Sequence, residues 1–445
     1  KVSHQRENVK KLFTELDFRS LGQRLDTVLD GNSNGGEEKK EEEKENIDPL
    51  EEKKILIALW LLNSSITNPK LSDIYEYSGV RNFEESKKII LKDVEKNGLS
   101  KVFEEIEVPI IEIVDQMEVN GKKKKKKELL QLSKKYHEEV EILSQKIWKE
   151  AGEEFNISSP KQLGEILFVK MGLKVKGQKK TGTGALSTKE SELEKFKDLH
   201  PIIADILSYR ELSKLLGTYI DTLPDLLGAD GRLHAKFLQA GTTTGRMSSE
   251  NPNLQNIPIK TELGRNIRKA FVAPKNKVLL SFDYSQIELR IAAILSGDNS
   301  LKEIFQKGED IHTGVASRIF NVTPENVDKE MRRKAKVINF GILYGMGVTA
   351  LRQNLGGTRE EAQEFYSQYF KSFPGLAEYM ENTKNEALRF GYTKTIFGRR
   401  RYFEGLKAKL AFIRASAERM AINAPIQGTQ SDILKIAMAR IDKYL

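Results

Sequence analysis

Hydrophobic residues recur at helical spacing through most of the chain. A first helix is predicted over residues 1–30, where Val9, Leu12 and Leu16 would form one apolar stripe. The same periodicity predicts further helices over 55–62, 80–118, 128–150 and 201–219, and a shorter one that starts around Ser159-Pro160. The pattern indicates a mostly helical chain of the α+β class.

Three polar segments interrupt this pattern. Residues 31–54 begin with Gly, Asn and Ser and continue as a Glu/Lys run, which predicts a linker or disordered loop. Six lysines occupy 122–127, and their mutual repulsion favours a solvated, frayed helix start over a specific DNA contact. The glycine-rich stretch 177–184 lacks the Lys-Ser/Thr of a phosphate loop, so we expect a flexible basic loop.

One segment combines a strand pattern with a carboxylate. The apolar run 278–282 predicts a buried strand that ends at Asp283. Helical spacing then runs from Ile287 to Leu295, and Gly297 is suited to end that helix. A carboxylate at the end of a strand is a good Mg²⁺ ligand, but a turn or N-cap aspartate is an equally good interpretation of Asp283 alone.

Glu288 also has two interpretations. It stands three residues after Ser285, the spacing of a capping box, in which the Glu side chain returns to the Ser backbone N–H. A glutamate can cap a helix and still present its carboxylate to a ligand, so the two roles can coexist.

A second candidate segment follows at 331–345. Its residues Arg332, Lys336, Phe340 and Tyr344 recur every four positions, so a helix places all four on one gently spiralling face. Two cations followed by two aromatic rings suit a nucleoside triphosphate, because the cations neutralise phosphates and the rings stack on base or sugar. The alternative is an ordinary amphipathic helix with one basic end.

Two further segments are rich in amides and arginine. Residues 242–246 include Arg246, and residues 251–256 include Asn253, Gln255 and Asn256. Such side chains can use the acceptors that all base pairs share in the minor groove, although a pair of Asn-capped turns would look the same. His312 lies between the two main segments, and a lone histidine is usually structural.

A last basic and amide-rich surface is predicted near the end of the sequence. It combines the arginines of 399–401 with Arg419, Asn423 and Gln427, which are again four residues apart. Pro425 lies among them and makes a continuous helix doubtful, because proline lacks an N–H and clashes with the preceding turn.

Composition narrows the class of protein. The 445 residues are too many for one core, so two or more domains are expected. A net charge of +9 suggests a polyanionic partner, although good solubility alone would also explain it. Cysteine is absent, which excludes disulfides and fits a reducing cytoplasm. No apolar run approaches the ~20 residues of a membrane span, and no secretory signal opens the sequence.

The motifs together resemble family A DNA polymerases of the bacterial DNA polymerase I type. The likeness is specific over 155–445 and thins out before that. The segments that resemble the family most strongly are TTTGRMSSENPNLQNIP from Thr242, DYSQIELRIAAILSGD from Asp283, RRKAKVINFGILYG from Arg332 and INAPIQGTQSDI from Ile422.

The resemblance implies a right-hand architecture of thumb, palm with antiparallel sheet, and fingers. It implies a connector over 1–20 after a missing 5′ nuclease domain, and a reduced, inactive 3′–5′ exonuclease-like remnant over 21–115. The thumb would occupy 116–225, the palm 226–295 and 395–445, and the fingers 296–394. We therefore expect no proofreading.

The resemblance also implies roles for the candidate residues. Asp283, Arg332 and Lys336 would be catalytic, and the metal would bind Asp283 and the backbone carbonyl of Tyr284. The deoxynucleotide would meet His312, Arg332, Lys336, Phe340, Gln286 and Tyr344, with Glu288 as a gate against the ribose 2′-OH. DNA would meet Arg246, Asn253, Gln255, Asn256, Arg419, Asn423, Gln427 and Tyr344.

The implied reaction is two-metal nucleotidyl transfer to a primer 3′-OH, with two Mg²⁺ ions or Mn²⁺ as a substitute. Primer–template DNA and dNTPs would be the partners, without a membrane, and we expect a monomer in the bacterial cytoplasm or nucleoid. The family's motif C, with the second metal-binding aspartate, is missing from this sequence. We therefore expect weak or no activity from it.

Two alternatives stay open at this point. A non-catalytic primer–template binding module would bind DNA and a nucleotide without extension. A single-subunit RNA polymerase would share the fold, but Glu288 speaks against it because that gate excludes ribose.

Overall fold

The computed structural model describes residues 45–173, 178–182, 184–259 and 261–444. The helix predicted over 1–30 and most of the linker predicted over 31–54 lie outside these ranges. Contacts divide the chain into two units, Lys1–Ile47 and Asp48–Leu445, and the fold below is that of the second unit.

The first part of this unit is helical, and its helices begin at capping residues. Asp48 accepts a hydrogen bond from the Leu50 N–H, and Pro49 occupies the first turn, where its missing N–H costs nothing. The linker prediction is therefore wrong for 49–54, which form the first turns of a helix that continues as a buried apolar segment from Ile55. The elements are α1 (Pro49–Leu62), α2 (Leu71–Ser78), α3 (Phe83–Lys96), a π-helical segment (Val102–Glu107) and α4 (Val108–Asn120).

Two long helices dominate the next part and confirm the predictions over 128–150 and 201–219. Their apolar faces meet around Tyr136, Leu212 and Tyr219, and a second core forms around Phe168 and Phe196. The elements are β1 (Lys122–Lys123), α5 (Lys126–Ala151), α6 (Pro160–Gly164), π-helical Glu165–Lys170, α7 (Glu190–Leu193), 3₁₀ Glu194–Phe196, α8 (Pro201–Leu215) and π-helical Leu216–Ile220.

The lysine run is not a frayed helix start. Lys122 and Lys123 form β1, which pairs antiparallel with Leu233 and Arg232, and the helix begins only at Lys126. Lys124 is buried, with its ammonium 3.6 Å from the centre of the Phe271 ring. Backbone pairing thus overrides the repulsion between the side chains at 122–124, and burial lowers the pKa of Lys124 to about 7.

The segments that carry the candidate chemistry follow. Strands β2 to β4, 3₁₀ turns and helix α9 precede a group of seven helices, which pack on one core around Ile291, Val315, Ile338 and Tyr369. The elements are β2 (Arg232–Leu233), β3 (Lys236–Leu238), β4 (Ser248–Glu250), 3₁₀ Leu254–Asn256, α9 (Glu262–Lys269), α10 (Ile287–Ser296), α11 (Asn299–Gln306), α12 (Ile311–Phe320), 3₁₀ Pro324–Asn326, α13 (Lys329–Leu343), α14 (Val348–Leu355), α15 (Arg359–Ser372) and α16 (Pro374–Phe390).

The buried strand predicted over 278–282 is wrong. Val278, Leu279, Leu280 and Phe282 are all at least two-thirds exposed, and no strand in the described ranges pairs with them. A strand pattern becomes a strand only when neighbouring strands satisfy its backbone groups. The described chain forms only two-stranded antiparallel sheets, in which β1 pairs with β2, β3 with β4, and β5 (Tyr392–Lys394) with β6 (Arg400–Tyr402).

The described part of the chain closes with β5 (Tyr392–Lys394), β6 (Arg400–Tyr402), 3₁₀ Glu404–Lys407 and α17 (Ala411–Asp442). Helix α17 runs on through Pro425, contrary to the sequence prediction. Pro425 is buried, as are Ala421, Ala424 and Ile426 around it, so packing holds the helix together across the lost hydrogen bond. None of the described helices is long and apolar enough to cross a membrane.

Arg399 does not belong to the exposed basic surface that the sequence predicts. It is buried in a charge cluster, defined here as Glu107, Arg399, Asp432 and Lys435. The Arg399 guanidinium donates to both carboxylates, and the Lys435 ammonium lies 2.7 Å from the Glu107 Oε1. Two cations and two carboxylates balance each other, which is how charges become tolerable inside a protein.

Candidate functional site

The cation-to-aromatic face predicted from the sequence exists on helix α13. Asp328 caps the helix by accepting from the Met331 N–H at 2.7 Å. One side of α13 is buried through Ala335, Ile338 and Ile342, and the opposite side carries the four residues at i+4 spacing, Arg332, Lys336, Phe340 and Tyr344, all exposed. The first three lie within the helix, and Tyr344 is its C-cap.

A cavity of about 610 Å³ opens along this face. Lys336, Phe340 and Tyr344 line it from α13, and Arg419 lines it from α17. Gly345 makes the approach of the two helices possible, since a Cβ at that position would lie 2.4 Å from the Arg419 Cγ. The cavity therefore brings together three residues of the predicted face and one residue of the separately predicted DNA surface.

Arg332, at the basic end of the face, is engaged by a carboxylate. Its Nε donates to the Asp310 Oδ1 at 3.0 Å and its Nη2 to the Oδ2 at 2.8 Å, a bidentate pair. Burial acts to raise the pKa of Asp310, but the hydrogen bonds from Arg332 and Thr313 outweigh it and lower the pKa to about 2. Asp310 therefore carries its negative charge at neutral pH.

His312 lies beneath the face. Its ring is buried, its Nδ1 is 3.2 Å from the Asn339 amide nitrogen, and its ring centre is 5.6 Å from that of Phe340. Burial lowers its pKa, so the ring is neutral at pH 7. Contact between His312 and a triphosphate stays a prediction.

Glu288 joins three elements of the site. Its carboxylate accepts from the Arg246 guanidinium and, at 2.8 Å, from the Tyr344 hydroxyl. Burial and this hydrogen bond raise the pKa of Tyr344. Because both Glu288 oxygens are used in this way, the predicted capping box with Ser285 does not form. The N-cap of α10 is Gln286, in a left-handed conformation with φ 47° and no side-chain cap.

Arg246 is positioned from both sides. Its guanidinium also donates to the Gln430 side chain on α17, and its carbonyl accepts from the Thr242 hydroxyl at 2.7 Å. The Trp60 indole N–H in turn donates to the Thr242 carbonyl at 3.0 Å. The Arg246 loop thus rests on α1, close to the charge cluster, where Arg399 and Lys435 lie about 5 Å from the Trp60 ring.

The amide-rich residues of 251–256 and those of α17 differ in how exposed their side chains are. Asn253, Gln255 and Asn256 are exposed on a 3₁₀ turn that Asn253 caps, as the turn interpretation predicts. On α17, Arg419 is exposed and Gln427 is half-buried. Asn423 is buried, and its Oδ1 accepts no hydrogen bond from the part of the chain that the structure describes. Their contacts with DNA stay predictions.

Asp283 and Tyr284 are exposed on the unpaired segment before α10. The described residues contain no group of three or more His, Asp or Glu side chains that could hold a metal ion. One carboxylate and one backbone carbonyl do not make the donor set that two Mg²⁺ ions need. The residues described here therefore do not fit the two-metal site that the resemblance implies.

Sequence reasoning did not identify three residues that shape this site. Asp310 gave a usable signal, because an Asp three residues before Thr313 has N-cap spacing. Gln430 and Glu107 gave none, since their partners are 184 and 292 positions away in the sequence.

Comparison with known proteins defines the class. The model of DNA polymerase family A matches residues 126–445, so the chain belongs to that family. The resemblance inferred from the motifs is confirmed, and so is the mostly helical fold with small antiparallel sheets.

Particular relatives agree with this assignment. DNA polymerase I, thermostable, of Thermus aquaticus is 48% identical over 341 residues, which cover 76% of this chain and 41% of the relative. DNA polymerase I of Streptococcus pneumoniae R6 is 46% identical over 363 residues, 81% of this chain and 41% of the relative. The chain thus spans about two fifths of the length of these curated relatives.

A solved structure matches the fold. The POL domain of Pol1 from M. smegmatis, in complex with DNA primer-template and dNTP, superposes with a TM-score of 0.82 at 34% sequence identity. The match covers 88% of this chain and 71% of that domain.

Proposed function

We propose that this chain binds primer–template DNA and a deoxynucleotide as part of a DNA polymerase that extends the primer 3′-OH under direction of the template. The exposed face of α13, which runs from two cations to two aromatic rings, carries this proposal. The known complex of the related POL domain with primer-template and dNTP supports the same pair of ligands.

In this proposal the two ends of the α13 face bind different parts of the nucleotide. Arg332 and Lys336 neutralise the triphosphate, because charge-assisted hydrogen bonds to phosphate are the strongest that side chains make. Phe340 packs on the nucleotide, and Tyr344 stacks near the templating base. His312, neutral and buried beneath Phe340, supports the ring and donates a hydrogen bond to the phosphates if it turns outward. Gln286 lies beside Glu288 and completes the nucleotide pocket.

Glu288 is proposed to select deoxyribose. Its carboxylate is held by Arg246 and Tyr344, and its side chain is only 12% exposed, so it cannot easily move aside. A fixed carboxylate at the sugar position would leave no room for a 2′-OH. This argues against the RNA polymerase alternative, in which the site would have to accept ribose.

The DNA itself is proposed to lie along Arg246, Asn253, Gln255 and Asn256 on one side. Arg419, Asn423 and Gln427 of α17 would follow it on the other side. Amide and guanidinium groups suit the minor groove, where every base pair presents acceptors in similar positions. Asn423 supports this proposal, because its buried Oδ1 has no partner in the described part of the chain and a DNA donor would supply one.

Chemistry at the primer end is proposed to need two Mg²⁺ ions, or Mn²⁺ in their place, with Asp283 and the Tyr284 carbonyl among the ligands. The metals would supply the activation of the 3′-OH. Since the described residues offer only one of the carboxylates required, we propose that this chain alone extends primers weakly or not at all.

The remaining expectations are proposals of the same kind. The thumb, palm and fingers would occupy the ranges given above, the protein would act as a monomer, and it would work in a bacterial cytoplasm or nucleoid. The protein is also proposed to lack proofreading activity.

Primer extension tests the catalytic part. We would compare the chain with a chimaera that continues past Leu445 with the corresponding segment of the Thermus aquaticus relative, and with Asp283→Ala in that chimaera. We expect extension by the chimaera alone and its loss in Asp283→Ala.

The second candidate function is a non-catalytic primer–template binding module, which the lone carboxylate favours. A chimaera that binds primer–template and dNTP but never extends the primer would establish that function and reject the polymerase proposal.

A further inference from the structure

Asp310 holds the guanidinium of Arg332 with the geometry that a phosphate would require. Both carboxylate oxygens accept, one from Nε and one from Nη2, at 3.0 and 2.8 Å. A phosphate also binds arginine through two parallel N–H donors. The carboxylate and a phosphate would therefore compete for the same donors of the same side chain.

The Asp310 carboxylate is fixed by its own helix. Its Oδ1 also accepts from the Thr313 N–H at 2.9 Å and from the Thr313 hydroxyl at 3.0 Å, which caps α12. Asp310 cannot follow Arg332 toward a ligand without losing that cap. The pair is thus a fixed acceptor on α12 and a long, movable donor on α13.

Neighbouring carboxylates have other partners. Glu330 binds Arg333 in its own bidentate pair, at 2.7 and 2.6 Å, and Asp328 caps α13. Lys336, the second cation of the face, has no ion pair among the described residues. The two cations of the face are therefore unequal, with Lys336 available and Arg332 occupied.

We propose that Asp310 is a latch that restrains Arg332 until a polyphosphate displaces it. Asp310 thereby sets the affinity of the α13 face for the triphosphate of the nucleotide. Lys336 makes the first contact, and Arg332 exchanges its carboxylate for a phosphate only when the ligand carries enough charge. This inference rests on the proposed function, because it takes the α13 face to be the polyphosphate site.

The latch is weak enough to open. Exposed ion pairs contribute little to stability, and both side chains of this pair are about two-fifths exposed. Releasing Arg332 should therefore tighten polyphosphate binding by about two- to fivefold. The effect should shrink at high ionic strength, since salt screens both the pair and the ligand.

Binding of inorganic tripolyphosphate to the whole chain, measured by calorimetry without added metal, tests the latch. Asp310→Asn removes the charge but keeps a capping oxygen, because asparagine caps helices as well as aspartate does. Glu330→Gln is the matched control, since it frees Arg333 on the same helix and removes the same charge. Thermal unfolding of each variant checks that the fold is intact.

We expect Asp310→Asn to bind tripolyphosphate about two- to fivefold more tightly, and Glu330→Gln to change affinity by less than about twofold. Adding Arg332→Ala should abolish the gain. Weaker binding by Asp310→Asn would mean that the carboxylate orients Arg332 for the ligand, and would overturn the latch. An equal gain in Glu330→Gln would also overturn it, because general charge removal would then suffice.

The same titrations separate the latch from the proposed function. If Arg332→Ala and Lys336→Ala weaken tripolyphosphate binding while Asp310→Asn does not strengthen it, the face is a polyphosphate site without a latch. If neither alanine variant weakens binding, the proposed site itself is wrong and the latch falls with it.

Discussion

The charge cluster and the α13 face use the same kinds of cation in opposite ways. In the cluster, Arg399 and Lys435 are buried against Glu107 and Asp432. On the face, Lys336 is exposed and Arg332 is held by a single exposed pair. Buried cations must be neutralised within the fold, whereas exposed ones remain available to a ligand. Burial and ion-pair partners therefore distinguish cations that stabilise the fold from cations that are available to a ligand.

The largest effect should come from breaking the cluster. Burial raises the pKa of Glu107, but Lys435 and Arg399 outweigh it and hold the pKa below its ordinary value, so the carboxylate is charged. Glu107→Gln would leave two buried cations facing one carboxylate and should lower the free energy of unfolding by about 3–5 kcal/mol. Urea unfolding measures this.

The control for Glu107→Gln is Asp115→Asn, which breaks an exposed pair with Lys53. That change should cost less than about 1 kcal/mol. Equal midpoints for the two variants would mean that the cluster is no more important to stability than a surface pair.

A change on the α13 face should act on ligand binding and not on stability. Lys336→Ala removes a charge-assisted hydrogen bond and should weaken binding of a complementary dNTP to the chain–primer–template complex by roughly tenfold or more. The free energy of unfolding should change by no more than about 0.5 kcal/mol. Fluorescence titration of labelled DNA measures the first quantity.

Lys334→Ala is the matched control for Lys336→Ala. Lys334 is on the same helix but lines a different cavity, beside Glu330. Its loss should leave dNTP affinity within about twofold. If Lys334→Ala weakened the dNTP as much as Lys336→Ala did, overall charge and not the face would explain binding.

Lys124 is a third case for this comparison, a buried cation whose ammonium donates to no carboxylate among the described residues. Burial lowers its pKa to about 7 from an ordinary 10.5, and Lys122 adds to the shift. Protonated Lys124 therefore destabilises the fold below about pH 7, and this cost is relieved as pH rises from 7 to 10.5.

Lys124→Met should stabilise the protein by on the order of 1 kcal/mol at pH 6, with a gain that disappears toward pH 10. Melting temperatures across that range measure it. Lys123→Met, at the exposed neighbour, should show no such pH dependence. If Lys124→Met raised stability equally at all pH values, poor packing of Lys124 and not its charge would be the cause of the destabilisation.

Local patterns predicted the functional face well. The i+4 spacing of α13 and the end of α10 at Gly297 depend on residues close in sequence. The exposure of this face could also be predicted, because the opposite side of α13 is apolar. The motifs around Asp283 and Arg332 also sufficed to predict the family.

Features that depend on distant contacts were not predictable in the same way. Arg399 sits in an arginine triplet that suggests a basic surface, but it is buried where it pairs with Asp432 and with Glu107, which is 292 positions away. Lys124 follows the same logic, since β2 and Phe271 bury it. The prediction for 278–282 was wrong in the opposite direction, since this apolar run was expected to be buried and is exposed. A strand pattern does not supply its own partner strands.

The α13 face is proposed to bind a nucleotide that the template selects. The most direct test is to titrate complementary and non-complementary dNTPs into the chain bound to a labelled primer–template. We predict tighter binding of the complementary dNTP, by roughly tenfold, and loss of that preference in Tyr344→Ala. Equal affinity for all four dNTPs, unaffected by Tyr344→Ala, would contradict it.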